Sequence, residues 1–140
     1  MNTIIFLDID GVLNQLQPNY YLDNNCIKIL AEIKEKLQAE IVLTSSWRLG
    51  FTHSYDRCTP QIQNLINRFR QYGIKIKSRT RQLGDRTTEI KTYIHENEVD
   101  NYIILDDDES EHTDYTNIYI VNSKTGLTKY DIKKILKLMR

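Results

Sequence analysis

Ile4-Ile5-Phe6-Leu7-Asp8-Ile9-Asp10-Gly11-Val12-Leu13 is the stretch on which the fold of this chain turns. Its apolar run is rich in β-branched and aromatic residues and opens directly into two carboxylates one residue apart, the pattern of a buried strand that delivers acids to its C-terminal end. Open α/β sheets keep their chemistry at that end. In extended backbone Asp8 and Asp10 share a side, and Gly11 lets the chain turn away. Two acids held together repel unless a cation joins them, which points to a hard divalent metal, Mg2+. The same four residues also fit an Asp pair capping a loop with Gly11 as its turn, so the rest of the chain has to decide.

Working outward, 14–21 is polar, contains Pro18 and reads as a loop. Asp23 or Asn24 can cap a helix with Ile27, Leu30, Ile33 and Leu37 at helical spacing. A short strand, 40–43, then ends in Thr44-Ser45-Ser46-Trp47-Arg48, a hydroxyl cluster with a cation at the same sheet edge. After an irregular stretch, 61–72 carries Ile62, Leu65, Ile66 and Phe69 on one helical face and stops at Gly73. Alternation over 74–77 predicts an edge strand with one wet face. From Lys75 to Arg86 the chain holds five cations against one acid, either a solvated edge or a phosphate-facing patch. Asp85 or Thr87 can cap a helix through His95. The strand 102–105 runs into Asp106-Asp107-Asp108-Glu109, a strand at 118–121 follows, and Thr128 with Asp131 opens an amphipathic closing helix.

The 140 residues suit one domain, 1–140, and no repeat or linker divides them. Lys plus Arg equals Asp plus Glu at 19 each, so no global charge selects nucleic acid or membrane. Neither a signal peptide nor a membrane span is predicted, and the expected location is the cytoplasm. Cys26 and Cys58 lack metal or redox spacing, as do His53, His95 and His112.

Alternating strands and helices predict a Rossmann-like three-layer α/β/α sandwich around a mainly parallel five-stranded sheet. Three strand ends then bring together carboxylates for Mg2+, hydroxyls for phosphoryl oxygens and a cation, the equipment of phosphoryl transfer. In this ordered set the chain resembles a haloacid dehalogenase (HAD) superfamily phosphatase: Asp8-Ile9-Asp10-Gly11, Thr44, Arg86 and Asp106-Asp107 match its motifs in order across nearly the whole length. Leu43-Thr44-Ser45-Ser46-Trp47-Arg48 and Ile104-Leu105-Asp106-Asp107-Asp108 are also similar to a small subgroup associated with RNA-repair systems.

The resemblance implies that Asp8 is the nucleophile and Asp10 the general acid and base, its carbonyl also serving the metal. It implies that Thr44 binds a phosphoryl oxygen, that Arg86 stabilises charge, and that Asp107, with Asp106 the alternative, completes the Mg2+ site. Arg79, Arg81 and Lys91 compete with Arg86 for the cationic role. Ser45 or Ser46 can share the part of Thr44. Trp47 is either a loop anchor or a base-stacking surface, and Arg48 either a salt-bridge partner or a substrate contact. Neither interval between motifs has room for a cap domain, and an open site favours a phosphorylated polynucleotide end over a small nucleotide, with Tyr20, Tyr21 and Trp47 as stacking residues. A HAD-fold binding module without turnover and a metal-dependent nuclease remain the alternatives; a receiver domain does not fit, because strand three ends in Ser78-Arg79 where its acceptor Asp belongs.

Overall fold

Five parallel strands in the order β3-β2-β1-β4-β5 carry the molecule. The structure, a computed structural model, describes residues 3–15, 21–113 and 117–139. Pro18 and Tyr20 of the expected first loop lie outside them.

The apolar run forms β1 (Thr3–Leu7) at the centre, flanked by β2 (Ala39–Leu43) and β4 (Asn101–Asp106). Ile5, Phe6 and Leu7 are fully buried, each contributing about 1.5–3 kcal/mol of apolar burial. The outer strands are β3 (Ile76–Arg79) and β5 (Ile118–Ile120). The chain leaves β1 towards β2 and β3 and returns on the other side as β4, so the order reverses at β1, where such sheets open a crevice.

Side chains alternate along the strands, and the two faces are covered unequally. Ile5, Leu7, Ile41, Leu43, Ile103 and Leu105 meet α1 (Asn24–Leu37), α2 (Pro60–Arg70) and α4 (Lys129–Leu138) in the larger core. Ile4, Phe6, Val42 and Ile104 meet Ile90 and Tyr93 of α3 (Arg86–Glu96) in the smaller one. Each helix starts where its sequence can satisfy the first free N–H groups. Asp23 accepts from Asn25 N at 2.7 Å and Asp85 from Thr88 N at 2.8 Å, while Thr128 and Asp131 form a capping box.

The edge strand begins two residues later than its alternation predicts. Gly73, at φ +74°, ends the turn after α2, and Ile74 N then donates to Phe69 O at 3.0 Å, so Ile74 closes the helix instead of entering the sheet. Against β2 the register jumps from Ile76 to Ser78, leaving Lys77 as a bulge. Burial still alternates through the bulge, with Lys75, Lys77 and Arg79 exposed between Ile74, Ile76 and the half-buried Ser78, so the single wet face is kept. Of the cations from Lys75 to Arg86, Lys77 pairs with Glu40 at 3.4 Å and Arg81 with Glu96 at 2.8 Å.

Among the described residues no cap domain follows either motif: β2 and β3 are joined by two short 3-10 turns and α2. No described helix is long and apolar enough to cross a membrane.

Candidate active site

The ends of β1, β2 and β4 lie side by side because the ladder continues one residue past each strand. Asp8 N donates to Leu105 O and Thr44 N to Leu7 O, both at 3.0 Å. Asp8, Thr44 and Asp106 therefore stand along one edge.

The acid that Asp8 meets is Asp107 rather than Asp10. Carboxylate atoms of Asp8, Asp106 and Asp107 lie within 4.8 Å of one another. Burial first, then the charge of Asp106, pushes the Asp8 carboxyl up to about 9, with Arg86 opposing and a hydrogen bond to Asp107 adding to the rise. Asp107 is raised as well, chiefly by burial. Both carboxyls are thereby biased towards their neutral forms, and a divalent metal would relieve the same repulsion without protonation. The donor set thus fits a hard oxygen-bound ion.

Gly11 makes this approach possible. At φ +82° it adopts a left-handed backbone, and a Cβ there would stand 2.3 Å from Asp107 Oδ2. A turn residue at this point must also leave room for an acid arriving from β4.

Asp106 is 1 % exposed and fully engaged. Its Oδ1 accepts from the backbone N of Asp107 at 2.7 Å and of Asp108 at 3.1 Å; its Oδ2 meets Arg86 Nη1 at 3.1 Å and His112 Nε2 at 2.6 Å. Burial would raise its pKa, but His112, the Asp108 N–H and Arg86 outweigh it, and the group is held below its ordinary value. Arg86 Nη1 also reaches Asp8 Oδ1 at 3.8 Å and Glu111 Oε2 at 3.3 Å. Of the competing cations, Arg79 is exposed at the end of β3, Lys91 is exposed on α3 and Arg81 is turned to Glu96, whereas Arg86 faces the acids.

The Thr44 hydroxyl is buried and has no hydrogen-bond partner. An unsatisfied buried hydroxyl costs on the order of 1–3 kcal/mol, and a ligand oxygen bound beside it would satisfy it. Its neighbours take other parts. Ser45 Oγ accepts from Trp47 N at 3.0 Å and caps the 3-10 turn Ser46–Gly50. Trp47 Nε1 donates to Asp10 Oδ2 at 3.1 Å, and Asn14 Nδ2 donates to Asp10 Oδ1 at 3.0 Å. Both Asp10 oxygens are thereby engaged, and Asp10 is not among the carboxylates that cluster with Asp8.

Arg48 is buried and its donors turn inward, although it lines the groove beside Ser46 and Leu49. It pairs with Glu89 at 3.0 Å and donates to the carbonyls of Thr44, Ser45, Thr80 and Arg81. With its N–H groups so engaged, the geometry is that of a salt-bridge partner, and the expected substrate contact is left without a donor.

His112, Glu111, Glu89 and Asn14 were not expected at the site. Asn14, four residues beyond Asp10, was within reach of local reasoning; the others arrive by chain folding and carry no spacing signal. Next to the acids, an open polar groove of about 760 Å³ runs past Ser46, Leu49, Gln82, Arg86, Ser110 and Glu111.

A parallel sheet with its switch point at Asp8, a buried hydroxyl on the next strand, and a helix-borne cation facing the acids of β4 define a small HAD-superfamily domain without a cap. The family described as the HAD domain in Swiss Army Knife RNA repair proteins matches residues 4–132, and the chain belongs to that family. No curated protein matches it.

Proposed function

We propose that this domain is a Mg2+-dependent phosphomonoesterase that acts through an aspartyl-phosphate on Asp8, with a phosphorylated polynucleotide end as substrate, in the cytoplasm. The observation that carries the reading is the unpartnered, buried Thr44 hydroxyl on the strand beside Asp8. It is placed to donate to a phosphoryl oxygen. Arg86 supplies positive charge to the same group and to Asp8.

In the first half-reaction an Asp8 oxygen attacks phosphorus, the P–O bond to the leaving group breaks, and Asp10 gives that oxygen its proton. In the second, Asp10 takes a proton from water as the water oxygen attacks phosphorus, releasing inorganic phosphate and restoring the Asp8 carboxylate. Mg2+, held by Asp8 and Asp107 with the Asp10 carbonyl and with Asp106 behind them, would neutralise charge on the nucleophile and the phosphoryl group. The family and the uncapped, polar groove favour a polynucleotide end over a small nucleotide.

The test is phosphate release with Mg2+ from 3'- and 5'-phosphorylated oligonucleotides, nucleotides and an aryl phosphate, with Asp8→Asn in parallel. Turnover that requires Asp8 and is highest on oligonucleotides is the expected result. Highest turnover on nucleotides selects the small-molecule alternative, and activity surviving in Asp8→Asn removes the nucleophile.

A further inference from the structure

We infer that Trp47, with Asn14, is a positioning residue for Asp10: the two side chains clamp its carboxylate so that any proton it carries is directed away from both of them. The inference rests on the phosphatase reading above and adds to it the residues that aim its proton carrier.

Asp10 sits on a loop beyond the end of β1, and a loop carboxylate without partners samples several rotamers. Here both oxygens are fixed. Trp47 Nε1 reaches Oδ2 at 3.1 Å from the loop after β2, and Asn14 Nδ2 reaches Oδ1 at 3.0 Å from the loop after β1. Each clamp is itself anchored. Asn14 Oδ1 accepts from Gly11 N at 2.8 Å, which fixes the amide so that its N–H side must face Asp10. Trp47 has its backbone N–H held by Ser45 Oγ at 3.0 Å and its ring packed against the larger core.

The direction follows from the chemistry of the donors. An indole N–H donates and cannot accept, and the orientation of Asn14 leaves only its N–H side towards Asp10. Neither partner can receive a proton from Asp10 or sit opposite one. A proton on Asp10 therefore occupies a lone pair that points elsewhere, and the rotation that would hide it is blocked on both oxygens. A general acid must deliver its proton at hydrogen-bonding distance to one leaving oxygen, so this restraint acts on the first half-reaction. Trp47 is thus an arm of the proton-transfer apparatus, in place of a surface for stacking bases.

The chain has a single Trp, which makes the contact directly observable. In 15N-labelled protein the one indole N–H resonance is expected to move upfield and to exchange faster with solvent in Asp10→Ala; an unmoved resonance overturns the contact. Kinetically, Trp47→Phe keeps an aromatic ring and removes the donor. Its kcat/KM is expected to fall about tenfold on alkyl phosphates, whose leaving oxygen needs a proton, and by less than about threefold on an aryl phosphate with an acidic phenol. KM should stay near that of the wild type. An equal loss on both substrates, or a rise in KM confined to oligonucleotides as stacking requires, overturns the inference. The two failures are distinct: wild-type protein without turnover on any phosphoester removes the phosphatase reading together with the role built on it, whereas wild-type turnover with a Trp47→Phe loss blind to the leaving group removes the clamp alone.

Discussion

Arg48 and Arg86 line one groove, the first buried and the second partly buried, and do different work. Arg48, in the loop after β2, meets one carboxylate and four carbonyls, so its guanidinium ties the 44–48 loop to the 80–81 segment and to α3. Arg86, at the first turn of α3, points one nitrogen at Asp8, Asp106 and Glu111. The first is saturated by the fold and the second is surrounded by acids that a substrate or metal can rearrange. A cation near a site is therefore assigned by the destinations of its donors.

The contrast breaks most sharply on the structural side. Arg48→Met strands the Glu89 carboxylate in the interior and should cost about 3–5 kcal/mol in urea denaturation, while Arg48→Met with Glu89→Leu should recover much of the loss. A cost no larger than that of a surface substitution would show that the pair does not hold the loops.

Arg86 should behave in the opposite way. Arg86→Gln is expected to lower turnover by about 10²–10³-fold, the range found when one preorganised charge-stabilising donor is removed, with a smaller change in denaturation midpoint than Arg48→Met. A variant with lost stability and unchanged turnover would exchange the roles of the two arginines.

The pH dependence sharpens the comparison from the acid side. Asp8 has a folded pKa raised from 3.8 to about 9, so between those values the metal-free folded protein binds more protons than the unfolded chain. Stability should therefore fall as pH rises through that window, by at most about 1.4 kcal/mol per unit from this group. Mg2+ should oppose the fall, and Asp8→Asn should flatten it; thermal melts at several pH values with and without Mg2+ read both effects.

The smallest effect belongs to Asp85, which caps the helix that carries Arg86. Its hydrogen bonds from Thr88 N and Oγ1 hold its carboxyl below the ordinary value, so this stabilisation is present above pH 3.8 and is lost as pH falls through the lower folded value. Faster amide exchange confined to the first turn of α3 in Asp85→Ala would mark it.

Much of this architecture is written locally. The run before Asp8 reads as a strand because its period and composition allow little else, and Asp23, Asp85 and Thr128 announce helices because each can satisfy an exposed N–H within three residues. The start of β3 was missed because Gly73 and Ile74 are needed to close α2, a requirement that comes from the helix end and not from the alternation of Ile and Lys. The site divides in the same way. Asp8, Thr44, Arg86 and Asp106-Asp107 are visible as polar residues at the ends of apolar runs. Their partners are not: His112 reaches Asp106 and Glu89 reaches Arg48 across loops.

The sequence by itself determined a mainly parallel α/β domain, the strand ends that carry its polar residues and the capped helices between them, because periodicity and capping act over a few neighbouring residues; the HAD type came from the resemblance of its ordered motifs. Only the tertiary structure decided that Asp8 is paired with Asp107, that Asp10 is held by Trp47 and Asn14, and that Arg48 faces inward while Arg86 faces the acids. Those outcomes depend on which buried donors find which acceptors across the crevice, and burial makes each unsatisfied choice costly.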